Sequence, residues 1–184
     1  MAMLAVETDD AELVARAKAG DREAFSELVA RHYDFIFRVA WKWCGRRANA
    51  EDIAQDVCAR LGSAIRSFGG QGMFTTWLYS LTLNAARDHG RKAVRETRKA
   101  EAFGVHALTF GEAAEEPDDA YDRLWKAVRR LPDKQREAVL LVYGEGLGHA
   151  ATADIMGCAE ATVSWHVHEA KKRLKVLVAQ AGDE

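Results

Sequence analysis

HAATADIMGCAEATVSWHVHEAKKRLKVLV, residues 149–178, decides the fold. A short run from His149 to Met156 is followed by Gly157-Cys158-Ala159 and then by a longer run from Glu160 to Val178. Two helices joined by a three- or four-residue turn containing glycine have the geometry of a helix-turn-helix. In the second run Val163, Val167, Ala170, Leu174 and Leu177 recur at helical spacing, so they share one buried face. At about 100° per residue the opposite face holds Ala161, Trp165, His168 and Lys172, flanked by Ser164 and Glu169. An outward Trp beside His and Lys suits base edges and phosphates, and Lys171-Lys172-Arg173 with Lys175 make the end of the helix basic. Glu169 opposes this, because it repels phosphate unless it accepts from a cytosine amino group. On these residues alone, an αα-hairpin with a solvated polar face stands beside the DNA-reading one.

Upstream, a helix carrying Leu124, Val128 and Leu131 inward is broken by Pro132. Asp133 is the expected cap of the next helix, which runs through Val139 and Leu140 to about Tyr143. Gly144, Gly146 and Gly148 punctuate the turn that follows. Before this block, residues 93–117 lack a clean period and contain Gly104, Gly111 and the start of the acidic run Glu115-Glu116-Pro117-Asp118-Asp119. They read as a flexible linker, part helical at its start.

The N-terminal part reads as four helices. The first runs from about Ala11 to Ala19. Asp21 caps the second, Arg22 to Cys44, in which Phe25, Leu28, Val29, Phe35, Ile36, Val39 and Trp43 recur at helical spacing and which Gly45 stops. Asn49 is the expected cap of the third, which presents Ile53, Val57, Leu61 and Ile65 on one side and ends at Phe68-Gly69-Gly70-Gln71-Gly72. The fourth starts near Thr75 or Thr76, turns Trp77, Leu78, Leu81 and Ala85 inward, and continues to His89 or beyond. The expected architecture is all-α: two small helical domains, residues 1–92 and 118–184, joined by the linker 93–117, the second containing the helix-turn-helix.

Bulk properties narrow the function. The chain has 184 residues, 48% of them hydrophobic, and no apolar run near the roughly 20 residues that span a bilayer. Met1 to Asp10 lacks a basic segment followed by an apolar stretch, so a cytoplasmic protein without membrane insertion is expected. A net charge of −2 argues against non-specific coating of nucleic acid; DNA binding has to be local or depend on a partner. Cys44, Cys58 and Cys158 form no CxxC pair and read as reduced thiols in or near cores. His166 and His168, about 200° apart on a helix, cannot share a metal. No metal, cofactor or small-molecule substrate is expected.

Two further clusters stand out. Asp52, Gln55 and Asp56 share one exposed helix face. Paired carboxylates invite an enzyme reading, but no His or Lys at a nearby helical position serves as acid, base or nucleophile, so no catalytic residue is expected. A solvated surface and a protein-docking face both remain open. The loop Gly69-Gly70-Gln71-Gly72 is no P-loop, since no Gly-Lys-Ser/Thr follows. Phe68, Met73, Phe74, Trp77 and Tyr79 surround it, and Asn84, Arg87 and Arg91 follow at helical spacing. Aromatics, an amide and cations around an open loop are what single-stranded DNA needs; Phe74 and Trp77 as plain core residues is the other reading.

The order of these segments resembles an extracytoplasmic-function (ECF) sigma factor, the compact branch of the bacterial sigma-70 family. "GDREAFSELVARHYDFIFRVAWKWCG" is similar to the family's opening helices, "NAEDIAQDVCARL" to its polymerase-docking helix, and "SFGGQGMFTTWLYSLTLNAARDHGRK" to its promoter-melting segment. "LWKAVRRLPDKQREAVLLVYGEGLGHAATADIMGCAEATVSWHVHEAKKRLKVL" is similar to its C-terminal DNA-binding domain, including Leu-Pro-x-x-Gln-Arg-Glu-Ala at Leu131 to Ala138. The resemblance implies that Asp52, Gln55 and Asp56 dock on the β′ clamp helices of core RNA polymerase. It implies that Phe68, Gly69, Gly70, Gln71, Gly72, Met73 and Phe74 capture a flipped base at the −10 element of promoter DNA, with Asn84, Arg87 and Arg91 supporting the melted strand. It assigns Ala161, Thr162, Ser164, Trp165, His168, Lys171, Lys172 and Arg173 to the −35 element. It further implies the β flap and an anti-sigma factor as partners. The family's recognition helix often has more Arg and Lys in its first two turns, where Ser164, Trp165 and His166 stand here. A stand-alone helix-turn-helix regulator and a sigma-like decoy that binds polymerase or an anti-sigma factor without initiating are the competing readings.

Overall fold

The computed structural model describes residues 3–70, 72–102 and 120–180. They form two compact helical units, one on each side of residues 103–119, and no strand occurs among the described residues.

The first unit consists of α1 (Met3–Lys18), α2 (Arg22–Cys44), α3 (Arg47–Ala64), a 3₁₀ turn (Ile65–Ser67) and α4 (Phe74–Ala102). Asp21 starts α2 as expected. Its carboxylate accepts from the backbone N–H of Glu23 at 3.0 Å and Ala24 at 3.1 Å, satisfying two donors that the helix cannot. The Ala24 bond and then Arg16 hold the Asp21 carboxyl below its ordinary range. Gly45 closes the helix at φ 70°, its N–H donating to the Trp41 carbonyl at 2.8 Å. α2 packs against α1, α3 and α4 around Leu28, Ile36, Ile53, Val57, Leu61, Ile65, Leu78 and Leu83. Burial of each such aliphatic side chain contributes roughly 1.5–3 kcal/mol.

Three expectations for this unit are corrected. α1 begins at Met3 rather than Ala11. α3 begins at Arg47, with Arg46 as its cap and no side-chain cap bond, so Asn49 lies inside the first turn. The buried arc of α4 is Leu78, Tyr79, Thr82, Leu83, Ala85 and Ala86, with Trp77 and Leu81 only half-buried. This helix is contacted by α1, α2 and α3, and neighbours on several sides widen the buried arc beyond a single stripe. Thr82 tolerates full burial because its Oγ1 donates to the Leu78 carbonyl at 2.8 Å. α4 also continues to Ala102, so the start of the expected linker is helical.

The second unit consists of α5 (Ala120–Arg129), α6 (Asp133–Val139), a π turn (Leu140–Gly144), α7 (His149–Met156) and α8 (Glu160–Gln180). The bounds of α7 are those expected. Pro132, not Asp133, is the cap of α6; Asp133 is its first residue and accepts from Arg136 Nη2 at 2.6 Å. Leu124 is 42% exposed, and the inward residues of α5 are Ala127 and Val128, with Leu131 buried just beyond it. The Leu131–Ala138 motif is the corner of this unit. Leu131, Gln135, Glu137 and Ala138 are buried, and Arg136 Nη1 donates back to the Arg129 carbonyl at 3.2 Å across Pro132. Lys134 Nζ lies 3.3 Å from the buried Glu137 carboxylate. On α8, Val163, Val167 and Ala170 are buried, while Leu174 and Leu177 are half-buried.

Candidate nucleic-acid interface

The loop between the 3₁₀ turn and α4 stands on a floor of rings. Phe68 and Phe74 are both buried, with centroids 5.6 Å apart edge to face. Trp77 lies 5.4 Å from Phe68 and 5.6 Å from Phe74. Such edge-to-face and offset arrangements each add about 0.5–1.5 kcal/mol beyond burial. The two phenylalanines therefore support the loop from below, and its accessible described residues are Gly69, Gly70, Gly72 and Met73. Gln71 lies outside the described residues. Gly70 at φ 72° and Gly72 at φ 92° occupy the left-handed region that favours glycine, and open space surrounds both. Met73 stands just before α4, its carbonyl accepting from the N–H of Thr76 at 3.1 Å and Trp77 at 3.3 Å.

Beyond the loop, α4 carries Asn84 and Arg91 exposed, with Arg87 half-buried. Arg87 lies over the Trp43 ring at 5.6 Å and donates to Asn84 Oδ1 at 3.3 Å, so α2 orients it. Arg91 pairs with Asp88 at 2.5 Å. Arg95 and Arg98 extend the exposed cationic side of the helix, a continuation that the sequence reading did not include.

On α3, Asp52 and Gln55 are exposed and Asp56 is half-buried, held by Arg60 at 2.8 Å. The three share a face, as expected. Burial pushes the nearby Cys58 thiol up; all three cysteines are half-buried, and none forms a disulfide among the described residues. Among the described residues no group of three or more His, Cys, Asp or Glu could hold a metal, and no helix is long and apolar enough to cross a membrane.

On α8, Ala161, Thr162, Ser164, Trp165, His168, Lys171, Lys172 and Arg173 are all exposed. Trp165 is 56% exposed and rests edge to face on His166 at 5.0 Å, which restricts its orientation. Ser164 Oγ lies 3.2 Å from the Glu160 carbonyl and 2.9 Å from His149 Nδ1. His149 thereby ties the start of α7 to the second helix of the motif. Lys171 leans over the Tyr143 ring at 5.2 Å, and Lys172 pairs with Glu169 at 3.0 Å. That bond with Lys172 holds the Glu169 carboxyl below its ordinary range. Glu169 is thus partly neutralised within its own helix, an interaction that the alternation of signs at i, i+3 signals in the sequence.

A helix-turn-helix unit and a second helical unit with an open loop over aromatic rings define a nucleic-acid-reading protein. The sigma-70 region 2 family profile matches residues 28–96, and the sigma-70 region 4 profile matches residues 121–174. The chain is 30% identical to the RNA polymerase sigma-H factor of Pseudomonas aeruginosa, covering 94% of this chain and 97% of that one. It is 34% identical to the ECF RNA polymerase sigma factor SigM of Mycobacterium tuberculosis, covering 94% and 86%. The chain belongs to the sigma-70 family of RNA polymerase sigma factors, in its ECF branch. Its role is that of a regulatory subunit in transcription initiation, not of an enzyme. Two solved structures share the fold. The sigma factor RpoE in complex with the anti-sigma factor NepR from Bartonella quintana matches at 24% identity and TM-score 0.65, covering 84% of this chain and 96% of that one. CnrH in complex with the cytosolic domain of CnrY matches at 22% identity and TM-score 0.66, covering 94% and 98%.

Proposed function

We propose that residues 1–92 bind core RNA polymerase and read and melt the −10 element, that residues 118–184 read the −35 element, and that residues 93–117 link them, all in the cytoplasm. The observation that carries this reading is the exposed set Gly69, Gly70, Gly72 and Met73, two of its glycines at positive φ, over packed aromatic rings and continuing into a helix with an amide and a line of arginines. A flipped base needs a pocket it can enter without displacing the protein core, and cations beside it for the strand that follows. Asp52, Gln55 and Asp56 serve as the docking face for the β′ clamp helices, and the second unit contacts the β flap. In the helix-turn-helix, α8 enters the major groove with Trp165 and His168 toward base edges and with Lys171, Lys172 and Arg173 toward phosphates. An anti-sigma factor as a further partner is supported by the fold shared with a sigma factor crystallised with one.

The test is run-off transcription from a promoter library with purified core polymerase, with and without the chain. Transcripts that appear only with the chain and share two spaced upstream elements support the proposal. Polymerase binding without any such transcript overturns it.

A further inference from the structure

The loop that we propose to capture a base is held at both ends by groups that belong to neither the loop nor α4. At its entrance, Lys18 Nζ donates to the Phe68 carbonyl at 2.7 Å, fifty residues away in sequence. At its exit, the Phe74 ring meets the buried ring of His32 edge to face at 5.3 Å. His32 Nε2 in turn lies 2.9 Å from Asp10 Oδ2, both side chains buried, a close polar contact that is not aligned as a hydrogen bond. The other carboxylate oxygen of Asp10 accepts from Arg31 Nη1 at 3.1 Å. α1 thus supplies two anchors, Lys18 directly and Asp10 through His32, and they secure the two phenylalanines that bracket the glycines. The glycines make no such contacts, and added side chains there would meet open space.

We infer that Lys18 and Asp10 are positioning residues for −10 base capture, and that α1 acts as a clamp on the melting loop. A loop with two left-handed glycines has many accessible conformations, and binding a base in only one of them lowers affinity by the fraction populated. Fixing both ends raises that fraction without touching DNA. Lys18 suits the entrance because an ammonium donates strongly to a carbonyl at the end of a 3₁₀ turn, where no backbone N–H of the turn is left to reach it. This inference rests on the base-capture reading above.

The experiment uses holoenzyme reconstituted from core polymerase and the full chain. A single-stranded non-template oligonucleotide, selected for binding from a pool randomised across the −10 region, is compared with versions made abasic at each position. The wild type is expected to show one position where base removal costs about tenfold or more in affinity. Lys18→Met should shrink that penalty by about tenfold, the worth of one charge-assisted hydrogen bond, while the affinity of the abasic probe stays the same. Lys18→Arg, which can still donate, should restore it. Should Lys18→Met fail to fold, the isosteric Asp10→Asn, expected to shrink the same penalty, decides the comparison. A full penalty retained in Lys18→Met, or no rescue by Lys18→Arg, overturns the clamp. Absence of any base-sensitive position in the wild type overturns base capture itself, and the clamp with it.

Discussion

Trp165 shows how one residue carries a functional expectation. An indole more than half exposed at the second turn of a helix presents a broad amphipathic surface to a partner, and its edge-to-face contact with His166 orients it. Trp165→Ala is expected to change −35 preference more than −10 preference in a promoter-library transcription assay. An unchanged −35 profile would place Trp165 against a protein partner instead. His32 supports a second expectation. Burial lowers its pKa from the ordinary 6.5, more than the attraction of Asp10 raises it. With the folded-state value below the unfolded one, the unfolded chain takes up the proton first. Stability is therefore full above about pH 6.5 and declines as the pH falls from there toward the folded-state value. Thermal unfolding between about pH 8 and about pH 5 should show this decline, and His32→Gln should flatten it. An equal decline in the variant would assign the acid sensitivity to His166, which burial and then Lys134 shift in the same direction.

At the scale of elements, the glycine loop gives the sharpest expectation. Gly70 and Gly72 have positive φ with open space around them, so alanine there meets backbone strain and no clash. Gly70→Ala and Gly72→Ala should each lower stability in urea denaturation by about 1 kcal/mol. Stabilisation instead would show that the left-handed turns are not kept in solution. The elements also show what a sequence can reveal. Both ends of α2 and both ends of α7 were legible because Asp21, Gly45, Gly148 and Gly157 mark ends by local chemistry. Asn49 misled because a side-chain cap is worth only about 1 kcal/mol; with Gly45 turning the chain and Arg46 extended, α3 starts earlier without one. Leu124 misled because the residues of α5 seen to be buried are Ala127 and Val128, and periodicity does not say where a helix meets its neighbours. For the loop, the sequence set the aromatics beside the glycines without separating floor from opening. That distinction, like the anchoring by Lys18 and Asp10, depends on contacts between residues far apart in the chain.

For the whole molecule, charge decides between a sigma subunit and a self-sufficient DNA binder. The chain carries 26 Lys and Arg against 28 Asp and Glu, so its cations can attract phosphate only where they cluster. One cluster is the end of α8, with Lys171, Lys172, Arg173 and Lys175; the other is the exposed side of α4, with Arg91, Arg95 and Arg98. Each releases few counterions, so the free chain should bind promoter duplex weakly, with a log–log salt slope no steeper than about −6 even with both clusters engaged. Holoenzyme should bind the same fragment at least about 100-fold more tightly at physiological salt. Replacing Asp52 and Asp56 by Arg separates docking from electrostatics, because the exchange turns the net charge from −2 to +2. If these acids form the polymerase-docking face, the double variant loses binding to core polymerase, while its weak binding to duplex DNA rises with the added positive charge. Both quantities can be read by fluorescence anisotropy on one folded preparation. Retained polymerase binding would remove the docking role of α3. Tight, specific duplex binding by the wild-type chain alone would instead assign promoter recognition to the helix-turn-helix without polymerase.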